Sequence, residues 1–316
     1  MGALVGRTIA VTGASGFVGS HIALALLHEG ASVIAAVRTP AKADWLAAQG
    51  VVVRAADLAD RAALAAAFAG ADGVVANAAL GSNQGDVETL AKTNVEGVRN
   101  TLAAARDAGV TRVVNISSVA VYRTRLYRAM TEDTPGYDAT TRRFNWSDFT
   151  TDWRYARSKT LAEAAAWEDA AALGVGLTCL RPGPVYGSRD PKATAKLLAA
   201  IRKPLRFVPT VGVPWVHAGD VAAATVAALT GSSAIGKGYT LAAPSVSLYR
   251  VMRALKRALA ARGETRLAWL VPVPVPVWVR FDTTAAERDL GFRPRTIDAG
   301  MAEVAALVGA GDAAPT

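Results

Sequence analysis

Thr12-Gly13-Ala14-Ser15-Gly16-Phe17-Val18-Gly19 stands between a β-branched run at residues 8–12 and an Ala/Leu-rich stretch of helical period that reaches Glu29. Glycines at such a junction let the backbone turn sharply, approach a pyrophosphate closely and seat the helix against the strand. The helix N-terminus adds unpaired N–H groups and the positive end of its dipole. Strand, glycines, helix, in that order, read as a dinucleotide-binding loop with Gly13, Ser15, Gly16, Phe17, Val18 and Gly19 as its cofactor contacts. About 20 residues past the glycines, an acidic side chain would bind a ribose 2′-hydroxyl, whereas arginine accommodates a 2′-phosphate. Arg38 holds that place, directly after the apolar run at 33–37, and points to NADP(H) rather than NAD(H). Lys42 is as well explained by a solvated surface. Asp57-Leu58, after the third β-branched run, is placed to meet the adenine amino group.

Outward from this loop, short β-branched runs at 8–12, 33–37, 51–54, 73–76, 113–117 and 177–181 alternate with stretches of helical period. That alternation predicts an α/β fold, a Rossmann-type doubly wound parallel sheet. Gly30, Gly109 and Gly174 stand where left-handed helix caps are wanted. After Arg181 prolines break the pattern until a helix at 219–230, followed by a basic amphipathic helix over about 247–262. The expected division is a dinucleotide-binding domain of residues 1–182 and 213–242 and a smaller substrate-binding lobe of 183–212 and 243–316.

With 316 residues, 52% of them hydrophobic and 19% charged, the chain can bury a large core. Its one cysteine, Cys179, lies in an apolar run and excludes an intrachain disulfide or a Cys-rich zinc site, which favours a cytoplasmic setting. No signal peptide is recognisable. The most hydrophobic later run, 268–279, has the length of a core segment and is interrupted by Pro272, Pro274 and Pro276, so no membrane span is expected. Most of the net charge of +9 is concentrated in two stretches. Residues 183–212 hold six basic side chains against Asp190 alone, and 243–316 hold ten against seven acidic ones. Positive charge of this size is compatible with nucleic acid, a membrane surface or an acidic small molecule, and its place in the substrate lobe adds the expectation of an acidic substrate.

Tyr155 and Lys159, four apart at the start of a helical stretch, share a face. An ammonium beside a phenol favours phenolate and equips the oxygen to exchange a proton with a substrate. The run at 113–117 ends at Ser117-Ser118, and strand C-termini line the ligand crevice in such sheets, so a serine hydroxyl can meet the same oxygen. With these residues in place the sequence resembles the extended branch of the short-chain dehydrogenase/reductases. The matching stretches are Thr12 to Gly19, Asp57-Leu58, Asn77-Ala78-Ala79, Asn94 in Thr93-Asn94-Val95-Glu96-Gly97, Ser118 with Val121-Tyr122, Tyr155 with Lys159, Arg181-Pro182-Gly183, Val185-Tyr186-Gly187, Trp215-Val216-His217-Ala218-Gly219-Asp220-Val221 and Leu290-Gly291-Phe292-Arg293-Pro294. Within that branch, Val37-Arg38-Thr39-Pro40, Trp146-Ser147-Asp148 and the stretch from Ser158 to Trp167 look like the dihydroflavonol reductase and cinnamoyl-CoA reductase group.

The resemblance implies NADPH-dependent reduction of a ketone or aldehyde. Tyr155 would be the proton donor, Lys159 the holder of the nicotinamide ribose, and Ser118 the group that polarises the carbonyl, with Ser117 the weaker candidate. Asn77, Ala78, Ala79, Asn94, Pro182, Gly183 and Val185 would join Tyr155 and Lys159 at the cofactor. Arg123 and Ala120 depart from the family pattern at the pocket rim. An NAD-dependent nucleotide-sugar epimerase or dehydratase is the alternative enzyme; Arg38 argues against NAD and the absence of an acidic pair after Ser118 against a dehydratase, which leaves an epimerase open. An NADP-sensing regulator on the same fold is opposed by the presence of Tyr155 and Lys159. Relatives that pair helices across an interface leave room for a homodimer.

His21, His28 and His217 have no metal-ligand spacing, so no metal is expected. Asp220 reads as a first-turn acid that favours its helix dipole. The connection 123–154 is of functional length; Arg123, Arg125 and Arg128 in it could meet a substrate anion, or stand in solvent. The basic helix near the C-terminus is expected to pack its apolar stripe on its own domain rather than lie on lipid.

Overall fold

A computed structural model describes residues 2–81, 86–123, 125, 128–136 and 152–308. In chain order the strands are Thr8–Thr12 (β1), Ser32–Val37 (β2), Val52–Ala55 (β3), Gly73–Ala76 (β4), Arg112–Ile116 (β5), Ala129–Met130 (β6), Gly176–Pro182 (β7), Val185–Tyr186 (β8), Leu205–Pro209 (β9), Gly212–Val213 (β10), Val216–His217 (β11), Gly238–Leu241 (β12), Val246–Ser247 (β13), Trp269–Val273 (β14) and Arg280–Phe281 (β15). The helices are Phe17–His28 (α1), Asp44–Ala47 (α2), Arg61–Phe68 (α3), Val87–Asp107 (α4), Trp153–Leu173 (α5), Ala193–Ile201 (α6), Ala218–Thr230 (α7), Leu248–Ala260 (α8), Thr284–Leu290 (α9) and Ile297–Val308 (α10).

Seven strands form one parallel sheet in the order β3-β2-β1-β4-β5-β7-β12. The order reverses between β1 and β4, which opens a crevice at their C-terminal ends. β4 is buried at all four positions, as expected of a strand covered on both faces. Alternate residues of β1 face opposite layers. Ile9 and Val11 pack with Ile22 and Leu26 of α1 and Val221 of α7, whereas Ala10 packs with Leu64 and Phe68 of α3, Leu102 of α4 and Ala166 of α5.

A third apolar cluster joins Leu197 and Ile201 of α6, Val208 of β9, Val251 and Leu255 of α8, and Met301 of α10. α8 buries its stripe there, and its Arg250 and Arg257 both pair with Asp298 of α10, so the basic helix packs on its own chain. Four two-stranded pairs, β6–β15, β8–β11, β9–β14 and β10–β13, complete the strands. The connection after β5 therefore has structure of its own in β6 and in a bridge from Tyr122 to Gly136; Trp146-Ser147-Asp148 lies outside the described residues.

The structure departs from the sequence reading at two places in the sheet. β12 adds a seventh strand where no strand is expected. β5 ends at Ile116, which puts Ser117 beyond the strand. The run at 268–279, of core length, is mostly exposed, with Trp269 at 77%. Gly30, Gly109 and Gly174 all take the positive φ expected of cap residues. No helix among the described residues is long and apolar enough to cross a membrane.

Candidate active site

The crevice is built from three loops that hydrogen bonds lock together. Gly13 has φ +65°, a conformation that disfavours any side chain, and a Cβ at Gly19 would fall 2.2 Å from the Gly13 carbonyl oxygen. The Thr12 hydroxyl accepts from the backbone N–H of Asn77 (3.0 Å) and of Ala78 (3.1 Å), fastening the end of β1 to the loop after β4. Asn77 returns its side-chain amide to the Gly13 carbonyl at 3.3 Å. Asn94 of α4 accepts from Leu80 N–H at 2.8 Å and donates to the Ser158 hydroxyl at 3.1 Å, and that hydroxyl donates to the Tyr155 carbonyl at 2.9 Å. Asn94 thus ties the loop after β4 to the turn of α5 that carries Tyr155.

A cavity of about 440 Å³ lies over this junction. Its walls include Val18, Asn77, Ala79, Ser117, Ser118, Tyr155, Lys159, Pro182, Gly183 and Val185. Asp152 also faces it, and its carboxylate caps α5 by accepting from Arg154 N–H. The Lys159 Nζ is buried and donates to the Ile116 carbonyl at 3.2 Å, which fixes the ammonium beneath the cavity floor. Tyr155 is half-buried and its hydroxyl has no partner among the described residues. The Ser118 hydroxyl accepts from Ala120 N–H at 3.1 Å and keeps its own proton to donate. Ser117 is buried and its hydroxyl is unpartnered among the described residues, leaving a donor at the wall for a bound molecule.

The other sequence-predicted cofactor residues lie outside the cavity wall. Gly13, Ser15, Gly16, Phe17 and Gly19 form the turn into α1, whose N-terminus has no side-chain cap and no acidic residue in its first turn. That leaves its first N–H groups for an anion, so the loop fits a pyrophosphate. Arg38 follows β2, exposed and without a carboxylate partner among the described residues. Asp57, after β3, accepts from Ala59 N–H at 2.9 Å, and Leu58 packs near Gly97. Arg123, Arg125 and Arg128 are exposed and off the cavity.

Several polar groups near the site are structural. Tyr122 is buried between Thr240 (2.7 Å) and Arg181 (2.8 Å), and burial raises its phenol above the usual range. Burial likewise pushes the Cys179 thiol up, in keeping with a core cysteine. Arg181 of β7 pairs with Glu163 of α5 through Nε and Nη2, at 2.9 and 2.5 Å. Burial works against its charge, yet Glu163 raises the guanidinium above its ordinary value. Asp220 is more than a dipole partner, because it accepts from both the backbone and the guanidinium of Arg295. No group of His, Cys, Asp and Glu suited to a metal occurs among the described residues.

His217 caps α7 through Nδ1, and its ring stands 6.0 Å edge-on from that of His21, which meets the Ser188 carbonyl at 2.9 Å. Burial, aided by the Arg295 charge, lowers His217 to about 3 and His21 to about 4. In the unfolded chain both would bind protons near the ordinary value of 6.5. Between those limits the unfolded state holds more protons, so this stability is complete above pH 6.5 and is lost as pH falls through 4 toward 3. Tm is expected to decline across that window and to decline less steeply in His21→Gln; a flat profile would contradict the assignment.

The sheet order, the glycine turn and the Tyr155–Lys159 face define a short-chain dehydrogenase/reductase of the extended type. The chain belongs to the NAD dependent epimerase/dehydratase family, whose model matches residues 9–242. Cinnamoyl-CoA reductase 2 of Arabidopsis thaliana is 32% identical over 268 residues, 80% of this chain and 77% of that enzyme. Cinnamoyl-CoA reductase 1 of Oryza sativa subsp. japonica is 34% identical over 192 residues, 57% of this chain and only 54% of its own length. Dihydroflavonol 4-reductase of Hordeum vulgare is 31% identical, over 61% of this chain and 58% of that enzyme. Among solved structures, UDP-N-acetylglucosamine 4-epimerase from Bacillus cereus superposes with a TM-score of 0.79 at 17% identity, covering 96% of this chain and 99% of that one. At that identity the likeness concerns the fold alone.

Proposed function

We propose that the chain is an NADPH-dependent reductase of a ketone or aldehyde, reversible as an alcohol dehydrogenase. The observation that carries this reading is the meeting of Tyr155, Lys159 and Ser118 at one cavity over the reversal point of the sheet. NADPH, when bound, supplies the hydride. Tyr155 gives its proton to the substrate oxygen. Lys159, fixed by the Ile116 carbonyl, directs its remaining N–H groups toward ribose hydroxyls and keeps positive charge near the phenol. Ser118, held by Ala120 N–H, donates its hydroxyl proton to the carbonyl oxygen and orients it.

In this reading Gly13, Ser15, Gly16, Phe17, Val18 and Gly19 hold the pyrophosphate, Asp57 and Leu58 the adenine, and Asn77, Ala78 and Ala79 the middle of the cofactor. Pro182, Gly183 and Val185 close the nicotinamide end, and Asn94 acts through Ser158 on the position of Tyr155. Similarity to cinnamoyl-CoA and dihydroflavonol reductases supports a carbonyl substrate. The positive charge of residues 183–212 and 243–316 supports an anionic one, attracted by the field, since among the described residues the cavity wall carries no cation besides Lys159. NADPH consumption with a panel of carbonyl compounds tests this. Anionic aldehydes are expected to outperform neutral analogues at low salt, and the reverse ranking would remove the anionic part.

Arg38 is the 2′-phosphate ligand in this proposal. A charge-assisted contact contributes about 1.5–3 kcal/mol. Arg38→Ser is therefore expected to weaken NADPH binding by about 10- to 100-fold while leaving NADH binding unchanged. Equal losses for both cofactors, measured by fluorescence titration, would refute the role.

A further inference from the structure

β9 and β14 run parallel with Trp269 beside Leu205, Val271 beside Phe207 and Val273 beside Pro209. Side chains two apart share a face, so Leu205, Phe207, Trp269, Val271 and Val273 lie on one side of the ribbon. All five are exposed, Phe207 at 67% and Trp269 at 77%, whereas Val208 on the other side is buried in the third cluster. The apolar surface continues along the proline-rich stretch to Trp278, 37% exposed. Contiguous apolar surface on this scale marks an interaction site.

At one end of it the charge without an ion-pair partner among the described residues is positive. Because the strands are parallel, Lys203 and Arg266 stand at the same end of the ribbon, with Arg262 in the turn after α8; all three are exposed and lack a carboxylate partner among the described residues. Lys256 places its ammonium 6.0 Å from the Trp269 ring centre. The acid in this group, Glu264, is already paired with Arg202 at 3.0 Å.

We propose that this face docks on an anionic lipid bilayer, with Trp269, Phe207 and Leu205 in the interfacial layer and Lys203, Arg262 and Arg266 against lipid phosphates. Tryptophan and phenylalanine flanked by cations suit the headgroup boundary, where apolar area and attraction to anionic lipid act together. The ribbon lies on the surface and does not cross it, and the docking is independent of the reductase reading.

The test is co-sedimentation of the full chain with vesicles of phosphatidylcholine alone and of phosphatidylcholine mixed with phosphatidylglycerol. Binding is expected on the mixed vesicles, weakened by salt, and not on phosphatidylcholine alone. Each cation near such a surface contributes about fivefold to partitioning, so Lys203→Gln/Arg262→Gln/Arg266→Gln should lower it by about 100-fold. Phe207→Ser/Trp269→Ser should lower it by at least about tenfold. Should that pair of substitutions impair folding, the cation variant decides, since its side chains are exposed and make no ion pair among the described residues. No binding to mixed vesicles at low salt, equal binding to both vesicles, or binding unchanged in the variants would overturn the proposal. A dimer that these substitutions dissolve, without lipid binding, would overturn it in favour of an interface between copies.

Discussion

Tyr155→Phe is expected to lower the turnover of carbonyl reduction by about 10³-fold, within the range that a positioned general acid supplies. The substitution removes an oxygen that has no hydrogen-bond partner among the described residues, so the fold and the glycine loop should be undisturbed. Stopped-flow or steady-state rates measure the first effect, and NADPH fluorescence titration the second. A rate within a few fold of wild type would mean that the proton comes from elsewhere. Loss of NADPH binding together with the rate would make Tyr155 a cofactor anchor and not a proton donor.

Arg181→Leu is expected to be the most damaging single change to stability. The side chains of Arg181 and Glu163 are 13% and 6% exposed, and removal of one partner strands the other charge in the interior. Breaking a buried pair in this way costs about 3–5 kcal/mol. For a chain of this size that is on the order of a 10 °C fall in Tm. Adding Glu163→Leu to Arg181→Leu removes the stranded carboxylate and should recover much of the loss, because a buried pair replaced by apolar side chains is often near neutral. Calorimetry of the two single variants and the double variant reads this directly. A loss below about 1 kcal/mol in both singles would show that water reaches the pair and screens it.

The two halves of the site were legible to different degrees. The change from period two to period 3.6 across Thr12 to Gly19 located β1, the turn and α1, because strand, glycine turn and helix are adjacent in the chain. Tyr155 and Lys159 were visible for the same reason, being one helical turn apart. Glu163 continues that face at the next turn, so its position was readable, but its partner Arg181 is on β7 and only the tertiary fold brings them together. Thr12 could be read as the last residue of a strand; that its hydroxyl holds Asn77 and Ala78 depends on β1 lying beside β4.

β12 was not legible, because Gly238–Leu241 is short, lacks alternation and gains its strand identity from pairing with β7. For the proline–valine run the sequence supplies only a length too short to span a membrane; that it lies at the surface, with most of its side chains in solvent, depends on its pairing with β9. Asp152 is absent from the sequence reading of the site, yet it caps α5 and faces the cavity; an acid just before a helical stretch is the available signal.

The central claim is that this chain exchanges NADPH and delivers its hydride to a carbonyl, and nucleotide-stripped protein titrated with NADPH and NADH tests it most directly, with the unstripped sample assayed for retained NAD. Tight, exchangeable NADPH binding, weak NADH binding and no retained NAD are expected. Tightly held NAD with no preference for NADPH would contradict it and would favour a reaction that returns its cofactor unchanged in each cycle.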